Sequence, residues 1–185
     1  MIDRRATVVI LVLATAAAVG GLWLQRASQP AQIPAKAPTS NVAALKVGDT
    51  LGEFTLPDLD GKPQSLSQWR GKLLLLNFWA SWCRPCRKEM PQLAAAQKRY
   101  ADRGVQIVGI ALDQPEAVRD YLKHTPVDYP ILIGIDADPV PTERFGDSAS
   151  LLPYSVLIGR DGRILDTKLG DLSAVQLDRW LRGNG

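Results

Sequence analysis

The chain has 185 residues, 46% of them hydrophobic and 22% charged, with 22 lysines and arginines, 19 acids and a formal net charge of +3. That length suits one domain with an accessory segment and argues against two full domains. The basic residues are scattered among nearly as many acids, so no nucleic-acid-binding surface is expected, since that would need a concentrated basic patch interleaved with aromatics.

The first element is the uncharged run from Ala6 to Leu24, preceded by Arg4 and Arg5 and followed by Arg26. As a helix rising about 1.5 Å per residue it would span roughly 28 Å, close to the hydrocarbon thickness of a bilayer. A buried core helix would carry a polar stripe, and only Thr7 and Thr15 interrupt this one. Residues 1–24 are therefore expected to be a single transmembrane anchor or uncleaved signal, because Ala14, Ala16 and Ala18 lie inside the apolar run rather than after it. The arginine pair ahead of the span places that end in the cytoplasm and sends the rest to the far side of the membrane. Residues 25–46, rich in Ala, Pro, Gln and Ser, have little apolar surface to bury and predict a tether.

Residues 47–185 are the predicted domain. Phe54, Leu56 and Leu59, the Asp60-Gly61 turn signal and Ser65-Leu66 predict a short N-terminal hairpin. Residues 72–80, with four consecutive leucines followed by Asn77, Phe78 and Trp79, predict a central strand covered on both faces. Residues 84–100 have helical composition, which Pro91 should kink or locally break. A second buried strand over 105–112, a helix over 116–123 and a strand over 129–134 imply a parallel βαβ unit. After an irregular passage over 138–146, strands at 154–158 and 164–168 flank Arg160-Asp161-Gly162-Arg163, a hairpin signature. Leu172, Val175, Leu177, Trp180 and Leu181 stand at helix-like spacing, predicting a terminal helix that covers one sheet face. Trp69, Trp79 and Trp180 are expected in the core, and His124, Asp136 and Asp138 to have no site role. The fold class is α/β, a mixed sheet flanked by helices.

Cys83 and Cys86 are the only cysteines, separated by Arg84-Pro85, after the central strand and at the opening of the next helix. Pro85 falls in the first turn, where its missing N–H is among the groups left unpaired anyway. Cys83 then sits beside free backbone N–H groups and the positive helix end, both of which favour thiolate over thiol, and Arg84 adds charge. Cys86, three residues on, lies close enough to bond to it. A stabilising disulfide is the plain alternative, but a loop this short gains only about 2 kcal/mol in the chain-entropy model, against nearly 5 for one of a hundred residues. A zinc site would need more ligands than one histidine and one cysteine pair. Redox chemistry without metal or cofactor is the expectation.

The run Asn77-Phe78-Trp79-Ala80-Ser81-Trp82-Cys83-Arg84-Pro85-Cys86-Arg87-Lys88-Glu89-Met90-Pro91 resembles the TlpA/ResA/DsbE branch of the thioredoxin superfamily. The likeness extends upstream through Val47-Gly48-Asp49, Phe54 and Asp60-Gly61-Lys62 and downstream to Leu152-Pro153. It implies a thioredoxin-like fold, an extracytoplasmic (periplasmic) location, and electrons supplied by a DsbD/CcdA-type membrane reductase. It also implies that Pro153 is a cis-proline facing the cysteines and, with Leu152, helping to bind a substrate strand. Tyr154 stands where the family more often has threonine, so substrate contacts are expected to differ. Asn77 occupies the place of the buried aspartate of ordinary thioredoxins and cannot accept its proton. Glu89 matches the position this branch uses for acid/base help, and is expected to manage the proton of Cys86. A surface carboxylate balancing Arg87 or Lys88 is the alternative for Glu89. Trp82 is expected to shield the disulfide and offer an apolar landing surface.

The expected activity is thiol:disulfide exchange with protein substrates, Cys83 attacking and Cys86 resolving. Reduction is the favoured direction, with apocytochrome c or copper-centre proteins of oxidase assembly as targets by resemblance. Three other readings stand beside it. An oxidant would share every catalytic residue. A thiol peroxidase would want hydroxyl and proline residues where Ala80 and Leu76 stand, and a copper carrier would want a suitably placed histidine.

Overall fold

A computed structural model of the chain describes residues 43–137 and 140–184. The predicted anchor, the tether as far as residue 42, and Asp138 lie outside these residues. Among the described residues no helix is long and apolar enough to cross a membrane.

The leucine-rich run forms strand β3, Leu73–Trp79, once two short strands, β1 (Thr55–Pro57) and β2 (Pro63–Ser65), have paired antiparallel ahead of it. The turn between those two is held by the Asp58 carboxylate, which accepts the backbone N–H groups of Asp60 and Lys62, both at 2.9 Å. Gly61 supplies the left-handed conformation there, with φ of 78°.

Strand β3 pairs in parallel with β4 (Val105–Ala111), from Leu73 opposite Val105 to Trp79 opposite Ala111. On its other side it pairs antiparallel with β6 (Tyr154–Ile158). Strand β5 (Ile131–Ile133) adds in parallel to β4, and β7 (Ile164–Leu169) antiparallel to β6, giving a mixed sheet of order β5-β4-β3-β6-β7. The pleat divides the leucine run between two cores. Leu73, Leu75 and Trp79 face a cluster that includes Met90, Leu93, Leu177 and both cysteines. Leu74, Leu76 and Phe78 face another, with Phe54, Leu56, Leu66, Phe145 and Tyr154. Every β3 side chain is buried, and each large apolar one contributes on the order of 2 kcal/mol of transfer free energy, so the strand that leads into the cysteines is a rigid base.

Helix α1 spans Arg84–Tyr100, α2 Pro115–His124, α3 Pro141–Arg144 and α4 Ala174–Gly183. The buried residues of α1 are Cys86, Glu89, Met90, Leu93, Ala96, Gln97 and Tyr100, the three-four spacing of a single helical face. Pro91 does not break α1: it is exposed, so the carbonyl deprived of its donor can be hydrated. A short helix, α3, falls within the passage expected to be irregular. Val175 is 69% exposed, contrary to the predicted stripe, because two residues at about 100° each put it on the side of α4 opposite the buried Leu177, and Leu172 lies in the loop before the helix. The Ser173 capping box, its side chain accepting from the Gln176 N–H and that of Gln176 accepting from the Ser173 N–H, sets the helix start. Trp79 is in the core, whereas Trp69 and Trp180 are half-buried at its margins.

Candidate active site

The site is built at the carboxyl end of β3, where Ala80, Ser81 and Trp82 connect the strand to α1. Ser81 donates both its backbone N–H, at 3.0 Å, and its hydroxyl to Oδ2 of Asp113, just beyond β4. The parallel neighbour strand thereby holds the connecting loop. Asp113 was not singled out from the sequence; its signal was an acid directly after a buried strand, at the edge where a parallel sheet presents its loops.

Cys83 is the N-cap residue of α1, with Arg84 and Pro85 in the first turn and no acid there. Its Sγ accepts the backbone N–H of Cys86 at 3.3 Å, a donor aimed at the sulfur and able to stabilise a thiolate. Cys83 and Cys86 form a disulfide with Cα atoms 5.3 Å apart. Cys83 is 5% exposed and Cys86 fully buried, so only the first sulfur is open to a partner. Around it Arg84, Arg87 and Lys88 are exposed, and among the described residues none of the three makes an ion pair. Trp82 is 68% exposed beside Cys83.

Glu89 is 1% exposed, which overturns the alternative of a surface carboxylate paired with Arg87 or Lys88. Its Oε1 accepts from Asn77 Nδ2 at 2.7 Å and its Oε2 from the backbone N–H of Leu172 at 2.8 Å. Burial pushes the carboxyl above its ordinary range, the two hydrogen bonds pull it back, and the like charge of Asp171 adds to the rise. Asn77 Nδ2 also donates to Ser155 Oγ at 3.1 Å. The face of β3 that meets α1 thus carries one polar group, and it meets the one buried acid of the helix. Leu172, expected as apolar helix packing, contributes through its backbone.

The Leu152–Pro153 bond is cis, directly ahead of β6, as the resemblance implied. Pro153 is buried, and Leu152 packs against the cluster that contains both cysteines. Leu151, next to them, is 51% exposed. Tyr154 points to the opposite core, where its hydroxyl donates to the Phe145 carbonyl at 2.7 Å and its ring lies 6.0 Å from that of Phe78. It is a packing residue. Ala80 and Leu76, where a peroxidase would carry hydroxyl and proline, are fully buried and apolar.

A family model described as Redoxin matches residues 46–178. The chain belongs to the redoxin family. The thiol-disulfide oxidoreductase ResA of Bacillus cereus is 32% identical to this redoxin over 139 residues, 75% of this chain and 78% of its own length. ResA of Bacillus subtilis is 30% identical over 139 residues, 75% of each chain. A Chlorobium tepidum protein, solved as a DsbE-type thiol:disulfide interchange protein, matches with a TM-score of 0.68 and 28% identity over 76% of this chain and 99% of that one. This redoxin is a thiol:disulfide oxidoreductase with a thioredoxin-like fold, of the TlpA/ResA/DsbE-like kind.

Proposed function

We propose that this redoxin is a membrane-anchored reductant of protein disulfides, working on the outer, periplasmic side of a bacterial cytoplasmic membrane. The Cys83 thiolate attacks one sulfur of a partner disulfide, breaking that S–S bond and releasing the partner's other sulfur as a thiolate. Glu89 then takes the proton of Cys86, whose thiolate attacks Cys83 Sγ, expels the partner's second sulfur and closes the Cys83–Cys86 disulfide. The partner gains two electrons, and a DsbD/CcdA-type membrane reductase restores the dithiol. Trp82, Arg84, Pro85, Leu152 and Pro153 frame the approach to Cys83.

The observation that carries this reading is the buried Glu89 carboxyl, one helical turn from a fully buried Cys86 that cannot exchange its proton directly with water. The uncharged run of residues 6–24 behind Arg4 and Arg5, and the tether through residue 46, support an anchored domain with reach beyond the membrane. Apocytochrome c or copper-centre assembly proteins are the proposed targets, on the strength of the family resemblance.

The deciding experiment is the reduction potential of the cysteine pair in the full chain, equilibrated with glutathione and dithiothreitol buffers. A value near that of thioredoxin, about −270 mV, supports the reductant; one near −120 mV turns the assignment to an oxidant using the same residues.

A further inference from the structure

Asn77 joins the two sides of the site through its side chain. Its Nδ2 donates to Glu89 Oε1 on α1 and to Ser155 Oγ on β6, two residues beyond Pro153, and all three side chains are buried. Both amide hydrogens are therefore spent on one side. Among the described residues its Oδ1 has no hydrogen-bond partner, although it is buried. An unpaired buried amide oxygen costs about 1–3 kcal/mol, and leucine at this position would avoid it.

We propose that the Asn77 side chain is a two-position clamp that turns by half a revolution about its Cβ–Cγ bond when Glu89 gains or loses its proton. With Glu89 ionised, Nδ2 donates to Oε1 and to Ser155, as the structure has it. With Glu89 neutral, Oδ1 takes that place and accepts from the Glu89 carboxyl O–H and the Ser155 hydroxyl, whose proton is free to rotate. Nδ2 then occupies the place of Oδ1. One amide atom is unpaired in either state, and the torsion involved is broad and two-fold. Aspartate at this position could serve only the neutral acid, and leucine neither form. Asn77 is thus a positioning residue: it keeps Glu89 aimed while a proton passes from Cys86 Sγ to Glu89 Oε1 and back.

The other groups that bear on Glu89 leave the switch to these three side chains. Asp171, in the loop before α4, acts as a like charge, and Leu172 beside it offers only a backbone N–H. Tyr129, ahead of β5, is a buried phenol that burial and the Glu89 charge hold neutral. On α1 itself Cys86 is, once reduced, the thiol with which Glu89 exchanges its proton, and Arg87 and Lys88 lie on the exposed face.

The clamp rests on the acid/base reading of Glu89, and the test separates the two. In the reduced full chain, held in detergent, carbon and nitrogen NMR would follow the Glu89 carboxyl and the Asn77 side-chain amide across pH. The amide signals should move with the Glu89 midpoint, and their contacts to the Ser155 side chain should be lost below it. Asn77→Asp should raise the Glu89 midpoint by about one unit or more, and Glu89→Gln should abolish the pH response of the amide. An amide that stays still through the Glu89 titration overturns the clamp, as does a Glu89 that never titrates. If Asn77→Asp does not fold, the wild-type amide decides alone. Failure of the acid/base reading shows separately, as a Glu89→Gln protein whose pH–rate profile for disulfide exchange matches the parent while the wild-type amide still follows Glu89.

Discussion

The backbone N–H of Leu172 donates to Oε2 of Glu89 at 2.8 Å, so the loop that precedes the last helix closes over the buried carboxyl from the side opposite Asn77. The acid is gripped by the strand below it and by a loop from the far end of the chain.

Burial raises the folded-state pKa of Glu89 above its ordinary 4.5, so between that value and the raised one the native protein holds a proton that the unfolded chain has released. Stability should therefore fall as pH rises through this window and carry the penalty above it. Denaturant midpoints measured at a series of pH values should show this decline in the parent and lose this component in Glu89→Gln.

Asp113 holds the loop before Cys83 by accepting two hydrogen bonds from Ser81. Asp113→Ala should cost about 1–3 kcal/mol, the range for losing charge-assisted hydrogen bonds at a partly buried site. Hydrogen exchange should speed up first at Ser81 and Trp82. A variant as stable as the parent, with unchanged protection there, would show that packing alone positions the loop.

Arg84 stands in the first turn of α1, at the positive end of the helix dipole, in company with Arg87 and Lys88. Cations there oppose the dipole, so Arg84→Glu should leave the helix slightly more stable, by about 0.3–1 kcal/mol. The same change should withdraw support from the Cys83 thiolate, moving the pH midpoint of its alkylation upward. Thermal melts and iodoacetamide rates read the two effects independently; a downward midpoint would contradict the electrostatic account.

Trp82 presents most of its indole to solvent beside Cys83. Trp82→Ala should change stability by no more than about 0.5 kcal/mol, as expected for a surface site. Its effect should appear as a several-fold rise in KM for a disulfide-bonded protein substrate, larger than the effect on oxidised glutathione. Equal losses on both substrates would point to a change at the sulfur rather than at a landing surface.

Local sequence was enough for whatever depends on near neighbours. Four leucines followed by Asn77, Phe78 and Trp79 specify a strand buried on both faces, and a proline between two cysteines just after it specifies a helix start with one sulfur at its cap. Three residues of helix also bring Cys86 close enough to bond to Cys83. The strand order and the partners of Glu89 were of another kind. Helical spacing puts Glu89 on the face of Cys86, Met90 and Leu93, but its hydrogen-bond partners, Asn77 and the Leu172 N–H, are brought to it by β3 and the loop before α4. The roles of Asp113 and of the Leu172 N–H are not legible in the sequence for the same reason: each acts through a hydrogen bond to a residue far away in the chain. Val175 faces solvent because it lies about 200° around α4 from the buried Leu177. The chemistry of the cysteine pair was therefore written in consecutive residues, through strand burial and helix capping. The environment that governs its proton was decided by tertiary structure, because desolvation and hydrogen bonding depend on what closes over a side chain, and that cover comes from β3 and from the loop before α4, far apart in the sequence.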